Sequence, residues 1–254
     1  MKLAGTTFIR NGETYDYCYL EAISCLLEFC DHVFVVDAGS DDGTCEKLEA
    51  INSPNLTLIK RDEQEWFNQN GTGRTKLCYF TDIAISAAKE AGYDYNFYLQ
   101  GDEILHERCY DAVRDAIKFN SLGYLCERIN LWSSPYMRLV VPENRMPCST
   151  GVIRLARTEY LSFGDAESIA VPSLDKSFFD KICIYHMGFV RKREVMKEKV
   201  INMQENVFEL GHHDPKLDLS DTFNPKLWFQ FDDLEFIEEP LPAIIQNWAK
   251  ERIY

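Results

Sequence analysis

The sequence predicts an α/β fold, a parallel sheet followed by an elaborated second half. Three observations predict it. Strand and helix patterns alternate over residues 1–120, as they do where helical crossovers join parallel strands. Two apolar strands run into carboxylates, at Asp37 and at Asp102-Glu103, and open α/β sheets bind ligands beyond such strand ends. After Asn120 the rhythm changes to strands separated by long loops that contain proline.

Thr6 to Arg10 reads as a short first strand, broken by Asn11-Gly12. Thr14 to Cys30 then places Tyr19, Ile23, Leu26, Leu27 and Cys30 at helical spacing. His32 to Asp37 contains the continuous run Val33-Phe34-Val35-Val36, the mark of a strand buried on both faces of a parallel sheet. An acidic, glycine-containing turn and a short helix follow. Leu56 to Lys60 is a third strand, Thr75 to Ala91 a helix closed by Gly92, and Tyr95 to Gln100 a fourth strand. In the second half, strands are expected at Tyr124 to Trp132, Val152 to Arg157 and Lys181 to His186. An amphipathic helix over Glu194 to Leu210 carries Val195, Met196, Lys199, Val200, Met203 and Val207 on one side. The tail from Gly211 is acidic and aromatic, with Trp228, Phe229, Phe231 and Phe236, and ends in a helix-like Ala243 to Arg252. With no repeat and no linker, residues 1–254 are read as one domain, in which 211–254 form a C-terminal extension.

The 254 residues are 46% hydrophobic, ample for a large core. Asp and Glu number 41 against 27 Lys and Arg, a net charge of -14. Binding to long nucleic acid is therefore not expected, because it requires clustered cations to neutralise phosphates. Arg191-Lys192-Arg193 remains a locally basic stretch. The first residues lack the apolar core of a signal peptide, and no run is long enough to span a membrane. The nine cysteines are scattered without a C-x-x-C pair, so they read as reduced residues of a cytoplasmic protein.

Three segments carry candidate chemistry. In Val35-Val36-Asp37-Ala38-Gly39-Ser40-Asp41-Asp42-Gly43-Thr44, a carboxylate at a strand end can accept bonds from a base N–H or ribose hydroxyls. The same residue types also build an Asx-type turn with Thr44 as a helix N-cap. In Gln100-Gly101-Asp102-Glu103, adjacent carboxylates can hold a hard divalent cation that keeps positions open for phosphate oxygens, with Asp102 pointing along the pocket. A helix N-terminus with acidic residues is the other reading. In Tyr185-His186-Met187-Gly188-Phe189-Val190-Arg191-Lys192-Arg193, the histidine can supply a nitrogen ligand and the basic loop cations for a diphosphate. A hydrogen-bonded packing histidine fits the same pattern. His212-His213-Asp214 follows the helix-ending Gly211 and reads as a solvated loop.

These segments, in this order, resemble family 2 glycosyltransferases of the GT-A fold. Phe8-Ile9-Arg10-Asn11-Gly12-Glu13 looks like the family's first strand and its exit. Val36 to Thr44 is close to its VDxGSxDGT motif, and Gly101-Asp102-Glu103 falls where the family carries its DxD element. Tyr185 to Phe189, with Met196 and Lys199 in the next helix, is similar to a His-x-Gly-aromatic element of one bacterial and viral branch. The resemblance covers most of residues 3 to 210, with one departure: Gln100 replaces the first aspartate of DxD, making an amide contact of a carboxylate one.

The resemblance implies a GT-A-type Rossmann-like nucleotide-binding sheet, with residues 1–120 holding a nucleoside-diphosphate-sugar donor and 121–210 facing a saccharide or other hydroxyl acceptor. UDP is a carrier to expect, while the donor sugar and base stay open. Asp37 would contact the base or ribose, and Asp102 and His186 would hold Mn2+ or Mg2+ at the diphosphate. Thr7, Arg10, Lys76, Gln100, Arg191 and Arg193 would line the donor site. The implied reaction is an inverting displacement in which a carboxylate deprotonates the acceptor hydroxyl. Asp165 is the first candidate for this base and Glu167 the second; a turn aspartate capping the next segment is the plainer reading of Asp165. A sugar-nucleotide-binding module without turnover is the alternative that Gln100 suggests. Sugar nucleotidyl transfer is the weaker one, since Thr6 to Asn11 contains no glycine-rich phosphate loop.

Overall fold

The computed structural model describes residues 1–68, 73–140, 151–202 and 233–252. Its first half is the expected alternation of strand and helix. Strands β1 (Leu3–Ile9), β2 (His32–Asp37), β3 (Leu56–Lys60) and β4 (Tyr95–Tyr98) run parallel in the order β3-β2-β1-β4. Their pleat sends alternate residues to opposite faces. Val33 and Val35 pack with Leu3 and Ile9 against α1 (Tyr19–Phe29), whereas Phe34 and Val36 pack with Ala4 against α4 (Gly73–Glu90). α1 buries Tyr19, Ala22, Ile23, Cys25, Leu26 and Phe29, a single helical stripe. It sits so close to β1 that a Cβ on Gly5 would lie 3.0 Å from Leu26 Cβ. Between these elements lie α2 (Thr44–Glu49) and α3 (Glu63–Asn68).

The helix expected from Thr14 begins only at Tyr19. Asn11 and Asp16 take left-handed φ values of 50° and 52°, and residues 11–17 form turns tied to neighbouring loops. Thr44 is the first residue of α2 rather than its N-cap; Gly43 caps it at φ 94°, and Asp42 accepts from the Thr44 N–H at 3.1 Å. Gly92 ends α4 at φ 80°, as expected.

The second half extends the same sheet mostly with antiparallel strands. β5 (Glu103–Leu105) follows β4, and α5 (Tyr110–Lys118), not foreseen from the sequence, buries Val113, Ala116 and Ile117. β6 (Gly123–Trp132), β7 (Ser134–Leu139) and β8 (Gly151–Arg157) come next, with β8 antiparallel to both β4 and β6. A small ribbon, β9 (Ser162–Phe163) and β10 (Ser168–Ile169), carries the turn at 164–167. β11 (Cys183–Phe189) pairs antiparallel with β5 and parallel with β6, which puts His186 in register with both Glu103 and Asn130. It leads into α6 (Arg193–Asn202). β12 (Leu234–Phe236) adds to β7, and α7 (Gln246–Lys250) follows a short 3-10 turn, sending Ile245 and Ala249 into the core beside α1.

The expected continuation of α6 through Met203 and Val207 to Leu210, together with Gly211, His212-His213-Asp214, Trp228, Phe229, Phe231 and Cys148, lies outside the described residues. The described cysteines are thiols, with Cys18, Cys25, Cys30, Cys109, Cys126 and Cys183 buried. No helix among the described residues is long and apolar enough to cross a membrane.

Candidate active site

Because β1, β2 and β4 are parallel, Arg10, Asp37 and Gln100 leave the sheet at one edge. Asp37 is 2% exposed, and each of its carboxylate oxygens lies 3.3 Å from the Ser40 N–H. Gly39, at φ 75°, brings this turn against α3; a Cβ there would sit 2.5 Å from the Glu63 backbone. Arg10 donates to the Ala38 and Gly39 carbonyls at 2.8 and 2.6 Å, and its guanidinium lies 4.9 Å from the Trp66 ring centre. Burial lowers its pKa against the pull of Asp41, Glu63 and Asp37. Asp41 bonds the Asn11 amide at 2.8 Å and Asp42 the Thr14 N–H at 2.7 Å. These two carboxylates therefore lace the β1 and β2 exit loops together.

Asp102, His186, Arg191 and Lys199 form a second, tighter cluster. Oδ2 of Asp102 accepts from Arg191 Nη2 at 2.7 Å and faces Lys199 Nζ at 3.6 Å; Oδ1 faces His186 Nε2 at 3.7 Å. Burial would raise the Asp102 pKa, but Lys199, His186 and Arg191 outweigh it and bring it down to about 2. Burial, with Arg128 and Lys199 nearby, lowers His186 to about 4 despite Asp102 and Glu103. At neutral pH the pair is thus a carboxylate beside a neutral imidazole. His186 Nδ1 lies 2.9 Å from Asn130 Oδ1; a proton on Nδ1 satisfies that bond and leaves the Nε2 lone pair toward Asp102. Lys199 is pushed down to about 7 by burial and by Arg191.

This donor set fits a divalent cation. An ionised oxygen and an unprotonated ring nitrogen converge, 3.7 Å apart, and Gly188 presents no side chain to the ring nitrogen. Among the described residues no group of three or more His, Cys, Asp or Glu forms a closed cage. Two protein donors would leave the remaining positions to ligand oxygens, as Mg2+ and similar ions require at phosphates.

Glu103 faces another way. Both its oxygens are taken by Arg154 at 2.7 Å, and neither side chain is exposed. Burial opposes ionisation of Glu103, yet Arg154 and Arg128 hold its pKa below the ordinary value. Arg154 also donates to the Glu167 carbonyl, and Arg128 pairs with the Glu167 carboxylate. Gln100 Nε2 reaches the Ala166 carbonyl at 3.3 Å. The turn 164–167, with Gly164 and Ala166 at φ 70° and 59°, is thereby pinned to the strand end that carries Asp102. Asp165 is half-buried on the same turn.

The structure thus gathers Asp102, His186 and Arg191 in one cluster, and Gln100 with the turn of Asp165 and Glu167 beside it. Arg191 is buried and bonded to Asp102, the Gly188 carbonyl and the Tyr15 carbonyl, so it supports the site from behind. Thr7 lies fully buried in β1, opposite Val35, and its hydroxyl has no hydrogen-bond partner among the described residues. Lys76 is half-buried on α4, and Arg193 is exposed at the start of α6. Sequence reading missed Arg128, Arg154 and Asn130. A polar residue within an otherwise apolar strand was their only signal. A cavity of about 590 Å3 lined by Ala112, Lys118, Phe119, Phe178 and Lys181 lies toward the opposite end of β4, where the Tyr95 hydroxyl bonds the Ser121 carbonyl.

No family model and no curated protein matches the chain. Solved structures of related shape include S. aureus TarS 1-349 in complex with UDP, at 15% identity and a TM-score of 0.47, covering 90% of this chain and 72% of that one. S. aureus TarS matches at 17% identity and a TM-score of 0.48, over 87% of this chain and 41% of that one. A putative nucleotide-diphospho-sugar transferase from Desulfovibrio desulfuricans G20 matches at 13% identity and a TM-score of 0.35, over 63% of this chain and 65% of that one.

Proposed function

We propose that the protein is an inverting, cation-assisted glycosyltransferase. It moves a sugar from a nucleoside-diphosphate donor to an acceptor hydroxyl. The observation that carries this reading is the convergence of Asp102 and His186 at the sheet edge where β1, β2 and β4 end, with a carboxylate-bearing turn tied to the same edge. Residues 1–120 form the donor half and 121–210 the acceptor half. Asp37 and Arg10 meet the nucleoside, and the exposed Arg193 and half-buried Lys76 are the cations offered to the outer phosphate.

Asp102 and His186 would hold Mn2+ or Mg2+, whose chemistry is to neutralise charge developing on the departing diphosphate. The chain does the rest. Asp165 takes the proton from the acceptor hydroxyl, the oxygen bonds the anomeric carbon from the far side, and the bond to the diphosphate breaks with its electron pair. Asp165 is preferred to Glu167 because the Glu167 carboxylate is already paired with Arg128. That contact occupies an oxygen that would have to meet the acceptor hydroxyl. Arg128 and Arg154 keep the turn in place so that the base approaches the donor at a set distance.

The test is donor turnover. Purified protein is supplied with a panel of nucleoside-diphosphate sugars, UDP-linked first, with and without Mn2+, and release of free nucleoside diphosphate is followed. Release from one donor, dependent on cation and lost in Asp165→Asn, is expected. Protein that binds a nucleoside diphosphate but releases it from no donor would be a binding module instead.

A further inference from the structure

Gly188 abuts the imidazole of His186 on one side and, through its carbonyl, holds the cations of Asp102 on the other. On its Cα side, a Cβ would lie 2.4 Å from His186 Nε2 and 2.5 Å from Cε1, closer than any side-chain carbon is tolerated. Its φ is outside the left-handed region, so the backbone would accept alanine and only the imidazole stands in the way. On its other side, the Gly188 carbonyl accepts from Arg191 Nε at 3.1 Å and Lys199 Nζ at 2.7 Å. These are the two cations that face Oδ2 of Asp102, at 2.7 and 3.6 Å. Oδ2 is therefore engaged from behind, and Oδ1 alone is turned toward His186. The ring of Tyr17 closes the cluster, 4.3 Å from the Arg191 guanidinium.

We propose that Gly188 is a positioning residue for this site. Its bare Cα keeps Nε2 clear, and its carbonyl anchors the cations that leave Asp102 with one oxygen to offer. The consequence is selectivity for a cation bound by one carboxylate oxygen and one imidazole nitrogen, Mn2+ over Ca2+. Calcium prefers six to eight oxygens, often with a bidentate carboxylate, whereas imidazole suits transition metals. This inference rests on the reading of Asp102 and His186 as cation donors.

The experiment titrates Mn2+ alone, and Ca2+ alone, into the full chain. Binding is read by electron paramagnetic resonance and calorimetry, alongside thermal melts of Gly188→Ala, His186→Ala and the double variant. The parent is expected to bind Mn2+ and to prefer it to Ca2+. Gly188→Ala should weaken Mn2+ by about 10–100-fold, the usual cost of disturbing a ligand's support, and lower the melting temperature. Adding His186→Ala should recover most of that thermal loss, because the collision is with the ring; if Gly188→Ala alone does not fold, the double variant should. A Gly188→Ala protein with parental Mn2+ affinity would overturn the proposal, as would a double variant no more stable than the two losses summed. A parent that binds Ca2+ as tightly as Mn2+ overturns the selectivity. A parent that binds neither ion defeats the cation reading itself, an outcome visible before any variant is made.

Discussion

Asp102 and Glu103 are neighbours on the chain, yet they belong to different regions of the molecule. Glu103 opens β5, and its side chain enters the interior between β6 and β8, where Arg154 takes both oxygens and Arg128 stands 3.8 Å away. Asp102 precedes the strand and turns toward β11 and the loop that follows it, where Arg191 of the loop takes one oxygen and His186 of the strand faces the other. Both carboxylates are buried and both are ionised by cationic neighbours. The difference lies in what remains unused. Glu103 has spent its oxygens on a closed pair that ties two halves of the sheet, whereas Asp102 keeps one oxygen toward an unprotonated imidazole. A closed pair is architecture, and an open one is what a candidate site requires. The adjacent carboxylates that the sequence offered together to a divalent cation therefore divide: Glu103 has its counter-ions built in.

The sharpest way to break this contrast is to remove each carboxylate in turn. Asp102→Asn, which keeps an oxygen for Arg191 but removes the charge, should abolish cation-dependent donor binding in calorimetry while far-UV circular dichroism stays parental; tight binding by the variant would erase the distinction. Glu103→Ala should act on folding, costing about 3–5 kcal/mol in urea denaturation because the buried Arg154 loses the carboxylate that balances its charge. Replacing both members, Glu103→Met with Arg154→Met, should restore much of that loss, since the cost belongs to the stranded charge.

A smaller effect sharpens the link between the regions. Arg128→Met frees the Glu167 carboxylate from its partner and should lower kcat by about 10-fold, with donor KM unchanged, by letting the turn drift from the donor. Arg128→Lys should recover part of it. An equal change in KM would place Arg128 in donor binding instead.

The mildest expectation concerns pH. The His186 pKa is depressed to about 4 from 6.5, so between those values the unfolded chain binds a proton that the folded one refuses. Stability should therefore fall as pH drops from 6.5 toward 4. His186→Gln should flatten that part of the pH profile of the melting temperature. The Asp102 pKa lies below its unfolded value, so its contribution persists through this window and is lost only as pH falls from about 4 toward 2.

Much of the first half was legible because its signals are local. The run Val33 to Val36 sends alternate residues to two faces, and both faces are apolar, so a buried parallel strand is the reading that satisfies all four. The stripe of α1 follows from the same logic at helical period, although its start was misplaced, because loop contacts from Asp42 and Arg191 hold Thr14 and Tyr15 outside the helix. α5 was missed although Val113, Ala116 and Ile117 stand at helical spacing; a run this short carries a weak periodic signal. The candidates Asp102 and His186 were found from strand-end position and from resemblance, and the sequence offered no sign of which atoms they would share.

The sequence by itself determined the parallel half, its two apolar faces and the strand ends that carry the acidic residues. Periodicity depends on neighbours three or four positions away, and every such neighbour lies within the same short stretch of chain. Only the tertiary structure decided that His186 meets Asp102, that Glu103 does not join them, and that Arg154 and Arg128 tie the turn of Asp165 to the sheet edge that carries Asp102. Those outcomes follow from the register of β11 between β5 and β6. Register is set by how distant strands pack together, and a shift of one residue would turn His186 to the opposite face.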